Sequence, residues 1–279
     1  MILLSTGTLN TYGLPRIFAL AAEAGYDGIE IIIDARWDTR DAAYLRRMSS
    51  EYGLPVAVLH SPFLPGVEGW PLDQLGRLQR TLALAEELSV RLVVTHLPYR
   101  LYPMSAHWGS PKPRGITLPI PRVWREPYYH VLSDGRLADM ENETGVTIAV
   151  ENMPARRFLG ITFDLYWFNR TEQMARFPHV TLDTTHVGTW GNDPVAVYGQ
   201  LKGRLSHVHL SNYDGREHRP PSDGKLPLAA LLRELARDEY EGAVTVESDP
   251  MAFHAEDEAQ CLAELRRALA FCRENLAGR

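Results

Sequence analysis

The stretch Val146-Thr147-Ile148-Ala149-Val150-Glu151-Asn152-Met153-Pro154 decides the fold. Five apolar or β-branched residues run unbroken into a carboxylate. The run is too short for a helix and reads as a strand buried on both faces. Pro154 disfavours helix at Met153 and points to a loop. Glu151 is therefore expected at the carboxyl end of a buried strand, at the mouth of whatever the strands enclose.

The same design recurs along the chain. Val180-Thr181-Leu182 ends in Asp183, 205–208 leads into His209, and 243–246 ends in Glu247. Four oxygen or nitrogen donors on four strand ends suggest one metal site.

The 279 residues are 45 % hydrophobic and 23 % charged, ordinary for a globular protein. An α/β barrel uses roughly 250 residues as one domain. With 29 Lys+Arg against 35 Asp+Glu the net charge is −6, which gives no electrostatic reason to expect nucleic-acid binding. Cys261 and Cys272 lie eleven residues apart in a helical pattern. That is roughly 16 Å along one helix, too far for a disulfide, so both are expected as reduced thiols on a core-facing stripe. The opening Met1-Ile2-Leu3-Leu4-Ser5 lacks the marks of a signal peptide, and no run approaches a membrane span. A cytoplasmic protein is expected.

Strand-like and helix-like stretches alternate. Strands are expected at 2–5, 28–33, 55–59, 91–95, 146–151, 180–183, 205–210 and 243–247. Helices are expected at 14–24, 38–52, 72–88, 171–177, 193–201, 228–238 and 256–276, and 122–144 is expected to be mostly helical toward its end despite Pro127. Eight such units are the number a closed parallel barrel needs. The expected fold is an α/β (β/α)8 TIM barrel spanning 1–279 as a single domain. The rhythm breaks once, after the fourth strand, where 97–121 holds prolines at 98, 103, 111, 113, 119 and 121 without periodic pattern. This is expected as a long Pro-rich loop.

In such barrels chemistry lies at the carboxyl ends of the strands. Those ends carry His60, His96, Glu151, Asp183, His209 and Glu247. Three carboxylates converging on one narrow mouth repel one another unless a cation sits between them. Mixed carboxylate and imidazole ligands suit Mn²⁺, Zn²⁺, Fe²⁺ or Co²⁺ better than Ca²⁺, and Mg²⁺ is also compatible. The lack of thiolates argues against a closed structural zinc site. His207 is expected to point away from the mouth or into a different layer from His209.

Motifs along nearly the whole chain resemble the xylose isomerase-like barrel superfamily, within its sugar phosphate isomerase/epimerase branch. They are Gly25-Tyr26-Asp27-Gly28-Ile29-Glu30, His60-Ser61-Pro62, Thr95-His96, Val150-Glu151-Asn152, Asp183-Thr184-Thr185-His186, His207-Val208-His209-Leu210-Ser211 and Val246-Glu247-Ser248. The resemblance to ketose 3-epimerases implies one divalent metal held by Glu151, Asp183, His209 and Glu247. It implies that Glu151 and Glu247 also act as acid and base, moving a carbon-bound proton through a metal-stabilised enediolate. It points to His186 as a substrate contact, with His60, His96, Arg216 and His218 as further pocket residues.

The superfamily also contains AP-endonuclease-like enzymes with three zinc ions. Their extra ligands match His60, His96 and His186 and a later Asp-x-His pair. Here that pair reads Arg216-Glu217-His218, so the Asp position carries Arg. His60 and His96 are compatible with a second metal beside Glu151, or with shaping a one-metal pocket.

The segment from Tyr99 to Tyr129 sets Arg100, Lys112, Arg114, Arg122 and Arg125 among Tyr99, Tyr102, Trp108, Trp124, Tyr128 and Tyr129. It reads either as a lid that covers a small sugar or polyol and binds a phosphate or carboxylate, or as a subunit contact in a homo-oligomer. The leading expectation is a metal-dependent isomerase or epimerase of a small sugar, sugar acid, polyol or sugar phosphate. A polyol-ketone dehydratase on the same site and an AP-endonuclease-like phosphodiesterase are the competing readings.

Overall fold

The computed structural model describes residues 1–108, 114–121, 125–158 and 161–277. Twelve strands are described: β1 (Ile2–Ser5), β2 (Gly28–Ile32), β3 (Val56–His60), β4 (Leu92–His96), β5 (Leu101–Trp108), β6 (Arg114–Pro121), β7 (Thr147–Glu151), β8 (Arg156–Phe158), β9 (Ile161–Phe163), β10 (His179–Asp183), β11 (Leu205–Leu210) and β12 (Ala243–Val246). Eight of them close a parallel barrel in the order β1-β12-β11-β10-β7-β4-β3-β2. Helices lie between successive barrel strands, which makes this a (β/α)8 TIM barrel.

The helices form where the apolar spacing and caps direct them. Leu14–Ala24 buries Leu14, Ile17, Phe18 and Ala21 on one face and stops at Gly25, whose φ of 92° suits a residue without Cβ. Asp257 accepts the Ala259 and Gln260 N–H groups and starts Glu258–Leu276. The expected helix at 38–52 splits in two. A 3₁₀ turn at Trp37–Thr39 comes first, and Asp41 then caps Ala42–Tyr52 by accepting from Tyr44 N–H. The stretch 122–144, expected to be mostly helical toward its end, carries two helices. Pro127–Ser133 and Leu137–Thr144 are separated around Gly135, which sits at φ 74°.

The Pro-rich segment differs most from expectation. Leu101–Trp108 and Arg114–Pro121 form an antiparallel ribbon, pairing Leu101 with Pro121 and Pro103 with Pro119. Pro103, Pro119 and Pro121 thus all fall on one alternating set of pairs, and an antiparallel ladder asks for N–H donors only from the other set. Lys112, Arg122 and Trp124, and the side chains of Trp108 and Arg114, lie outside the described residues, so the expected lid is described only in part. A second ribbon, β8 with β9, follows β7.

Inside the barrel, Leu3, Val58 and Val94 form an apolar plug, flanked by Ala57, Leu92 and Ala243. The main core fills the shell between strands and helices, where each fully buried Leu contributes about 1.5–3 kcal/mol. The plug fills the barrel below the polar groups that lie nearer the carboxyl ends of the strands. No helix among the described residues is long and apolar enough to cross a membrane.

Candidate metal centre

Barrel register decides which strand-end residues meet. Asp183 is paired with His209 across β10 and β11, and His96 with Glu151 across β4 and β7. One ligand atom each from Glu151, Asp183, His209 and Glu247 fall within 4.8 Å of one another. Glu151, Asp183 and His209 are almost completely buried, while Glu247 keeps partial exposure toward the mouth. His209 Nδ1 stands 3.2 Å from Glu151 Oε1 and 3.1 Å from Glu247 Oε2. Three further sets overlap this one: His60 and His96 with Glu151, His186 and His218 with Asp183, and Glu30 and His207 with His209. His60 Nε2 and His96 Nε2 lie 3.2 and 3.0 Å from the same oxygen, Glu151 Oε2.

The orientation of each imidazole follows from its other nitrogen. His60 donates from Nδ1 to the Ser61 carbonyl at 2.8 Å, and His186 donates from Nδ1 to the Asn152 carbonyl at 2.8 Å. His209 donates from Nε2 to Glu30 Oε1 at 2.9 Å. The free nitrogens of His60 and His209 then face carboxylate oxygens. A lone pair against a carboxylate is repulsive unless a proton or a metal cation lies between them.

The titration behaviour agrees with this. Burial alone would lower His209, but Glu247, Glu30 and Glu151 hold it well above the usual imidazole range. Burial alone would raise Glu151, but His209 and His96 hold it well below the usual carboxylate range. Burial above all pushes Asp183 up to about 8 and His186 down to about 3.

Asp183 supplies a separate test of fit. Its Oδ1 accepts the His186 N–H at 2.7 Å, capping the short helix Thr184–Thr189, while its buried Oδ2 has no hydrogen-bond partner. An orphaned buried carboxylate oxygen aimed among other donors suits a divalent cation.

Above the cluster opens a cavity of about 610 Å³, lined among others by Ile32, Phe63, Tyr99, Arg156, Tyr166 and Glu217. Its carboxylates are Asp34, Glu151, Glu217, Glu247 and Asp249, and its one described Arg, Arg156, is ion-paired with Glu217. Tyr99 and Tyr166 stack over it at 4.7 Å. A larger hollow of about 810 Å³ lies at the opposite end of the barrel, where Tyr198 and Lys202 both bind Asp238. None of the metal-type clusters of the described residues is there.

The structure brings together Glu151, Asp183, His209, Glu247, His60, His96, His186 and His218. It does not bring in Arg216, which points outward, 70 % exposed, and pairs with Asp214 at 2.7 Å. The short Asp214–Arg216 turn satisfies that guanidinium locally, so nothing draws it to the mouth. His207 lies in the barrel interior one layer below His209, since residues two apart on a strand share a face. Arg100 and Arg125 rest over the Trp167 ring rather than in the cavity. Two residues went unassigned from sequence, Glu30 and Arg156. Glu30 carried a signal, because a carboxylate inside Gly28-Ile29-Glu30-Ile31-Ile32 must find partners or neutralise.

A model of the xylose isomerase-like TIM barrel matches residues 18–268. This chain belongs to the xylose isomerase-like TIM barrel family. Among curated members of similar sequence, an uncharacterized protein of Mycobacterium leprae (strain TN) is 26 % identical, covering 98 % of this chain and 96 % of that protein. Solved structures superpose over nearly the full length. A D-allulose 3-epimerase from Methylomonas sp., in complex with D-allulose, has a TM-score of 0.67 at 19 % identity, covering 98 % of this chain and 96 % of that one. A 3-keto-D-glucoside 4-epimerase from E. coli has a TM-score of 0.64 at 20 % identity, covering 98 % of each chain.

Proposed function

We propose that this protein is a divalent-metal-dependent isomerase or epimerase of a small, uncharged sugar or polyol. Glu151, Asp183, His209 and Glu247 would hold the ion, and Glu151 and Glu247 would carry protons. The observation that carries this reading is the convergence of these four donors within 4.8 Å at the floor of an open cavity. The superposition on sugar epimerases supports the same class.

A divalent ion bound there supplies electrophilic stabilisation of negative charge developing on substrate oxygens. One carboxylate takes a proton from the hydroxyl-bearing carbon beside a carbonyl; the C–H pair forms the carbon–carbon double bond and the carbonyl π pair moves onto its oxygen. Return of a proton to the opposite face of that carbon gives the epimer. Return to the former carbonyl carbon, with the proton of the neighbouring hydroxyl passing to the former carbonyl oxygen, gives the isomer. The lining favours an uncharged substrate, because its one described Arg is already paired with Glu217, so no unpaired guanidinium among the described residues faces a phosphate or carboxylate there. Tyr99, Tyr166 and Phe63 offer apolar faces to a sugar ring.

One observation favours a second reading. The overlapping sets His60/His96/Glu151 and Asp183/His186/His218 resemble additional metal positions, as a phosphodiesterase with several zinc ions would need. Metal analysis separates the two: about one ion per chain supports the epimerase, and near three zinc ions supports the phosphodiesterase. The direct test is deuterium incorporation from D₂O into a panel of ketoses and inososes with Mn²⁺ or Co²⁺. Exchange should occur with at least one of them and vanish in Glu151→Gln and Glu247→Gln. Exchange with none of them overturns the reading.

A further inference from the structure

Glu30 stands in the middle of β2 with no exposed surface and no role in the chemistry described above. Its two carboxylate oxygens are divided between two histidines. Oε2 accepts from His207 Nε2 at 2.9 Å, and Oε1 accepts from His209 Nε2 at 2.9 Å. These bonds cross the barrel interior, since β2 and β11 are separated by β1 and β12. The two rings stand at 87° to one another, so each presents its N–H to a different oxygen.

This arrangement has a consequence for His209. A ring that gives its Nε2 proton to Glu30 keeps the Nδ1 lone pair for the centre, where Glu151 and Glu247 lie 3.2 and 3.1 Å away. Glu30 therefore selects the tautomer and fixes the rotation of the ring. His207 secures Glu30 in turn. Its Nδ1 has no hydrogen-bond partner, so no acceptor draws the proton to that side of the ring, and Nε2 also lies 3.1 Å from Thr245 Oγ1. Without His207, Glu30 Oε2 would be a buried charged oxygen lacking its imidazole donor, free to turn away from His209.

We infer that Glu30, braced by His207, is a positioning residue that presents His209 Nδ1 to a divalent cation. The inference rests on the metal-site reading of the preceding subsection. Neither residue touches substrate. Their effect passes through His209 alone, so it falls on metal affinity and on the state of the imidazole.

The test uses Glu30→Gln, which keeps the shape but leaves one acceptor oxygen for two imidazole donors. Mn²⁺ binding is titrated by electron paramagnetic resonance on wild type, Glu30→Gln and His207→Gln. Histidine labelled with ¹⁵N reports the imidazole protons of the metal-free and Zn²⁺-loaded proteins. Wild type should show slowly exchanging Nε2–H signals for both His207 and His209, with Zn²⁺ on His209 Nδ1. Glu30→Gln should weaken Mn²⁺ about 10–100-fold and lose at least one of those signals. His207→Gln should weaken Mn²⁺ less. A purely structural role would lower the melting temperature of the metal-free variant while leaving the Mn²⁺ affinity of the folded protein unchanged, and that result overturns the inference. So does a wild-type His209 carrying its proton on Nδ1 with Zn²⁺ bound. Failure of wild type to take up Mn²⁺ or Zn²⁺ sinks the metal reading itself. Normal uptake with an equally tight Glu30→Gln sinks the inference alone. Should Glu30→Gln not fold, Glu30→Asp, shortened by one methylene, carries the same Mn²⁺ expectation.

Discussion

Asn152 and Asp183 clasp one another through two hydrogen bonds. The Asp183 backbone N–H donates to Asn152 Oδ1 at 2.8 Å, and Asn152 Nδ2 donates to the Asp183 carbonyl at 3.0 Å. The residue just after Glu151 thus sets the distance between Glu151 and Asp183, on the neighbouring strands β7 and β10. Asn152→Ala leaves a buried N–H and a buried carbonyl without these partners, a cost of about 1–3 kcal/mol. The variant should melt several degrees lower and bind Mn²⁺ at least about tenfold more weakly, as loss of a supporting hydrogen bond does. Calorimetry with and without Mn²⁺ checks both, and unchanged affinity would show that the clasp serves stability only.

Gly7 gives the cavity floor its width. A Cβ there would lie 2.6 Å from Ile32 Cδ1 and 3.6 Å from Glu247 Oε1. The first contact is the free end of a side chain and can move, so Gly7→Ala should fold with little change in melting temperature. The displaced Ile32 lines the cavity, so kcat/KM should fall about 10–100-fold. Steady-state kinetics on whichever substrate exchanges deuterium decides this. A fully active Gly7→Ala would place the reacting carbon elsewhere.

Anionic substrates should be rejected. With Glu151 and Glu247 engaged by the ion, Asp34 paired with Arg36 and Arg156 paired with Glu217, the described lining offers an anion no free guanidinium, and a phosphate or sugar acid should lose on the order of tenfold in kcat/KM against the uncharged analogue. A ketose and its phosphate ester compared at one ionic strength are sufficient. Preference for the ester would mean that basic groups of the ribbon after β4 face the cavity.

The two thiols should be silent at neutral pH. Burial above all pushes Cys261 up to about 11 and Cys272 up to about 12. Each proton is therefore bound more tightly in the folded chain than in the unfolded one, whose thiols titrate near about 8.5. Their contribution to stability is complete below that pH and is lost as pH rises toward 11 and 12, by up to about 1.4 kcal/mol per pH unit for each thiol. Ellman's reagent at pH 8 should label neither thiol until urea is added, and Cys272→Ala should flatten the alkaline decline of the urea midpoint. Rapid labelling of the native protein would refute the burial of both.

Much of this molecule is legible along the chain because its signals are local. An unbroken apolar run ending in an acid reveals β7 and Glu151, and the same pattern reveals β10 and β12 with Asp183 and Glu247. Gly25 and Gly53 mark helix ends because left-handed backbone favours a residue without Cβ. The ribbon of β5 and β6 was hidden because its prolines suppress the usual strand signal, and only the pairing register reveals that they fall on positions needing no donor.

For the site, the sequence by itself determined which four donors stand at strand ends. Tertiary structure alone decided their company. Arg216 turned outward to Asp214, Arg156 came to the cavity from a second ribbon, and Glu30 reached His207 and His209 across two intervening strands. The physical reason is range. Strand ends and caps follow from neighbours a few residues apart, whereas contacts between residues 177 and 179 positions apart depend on the barrel's closure and register.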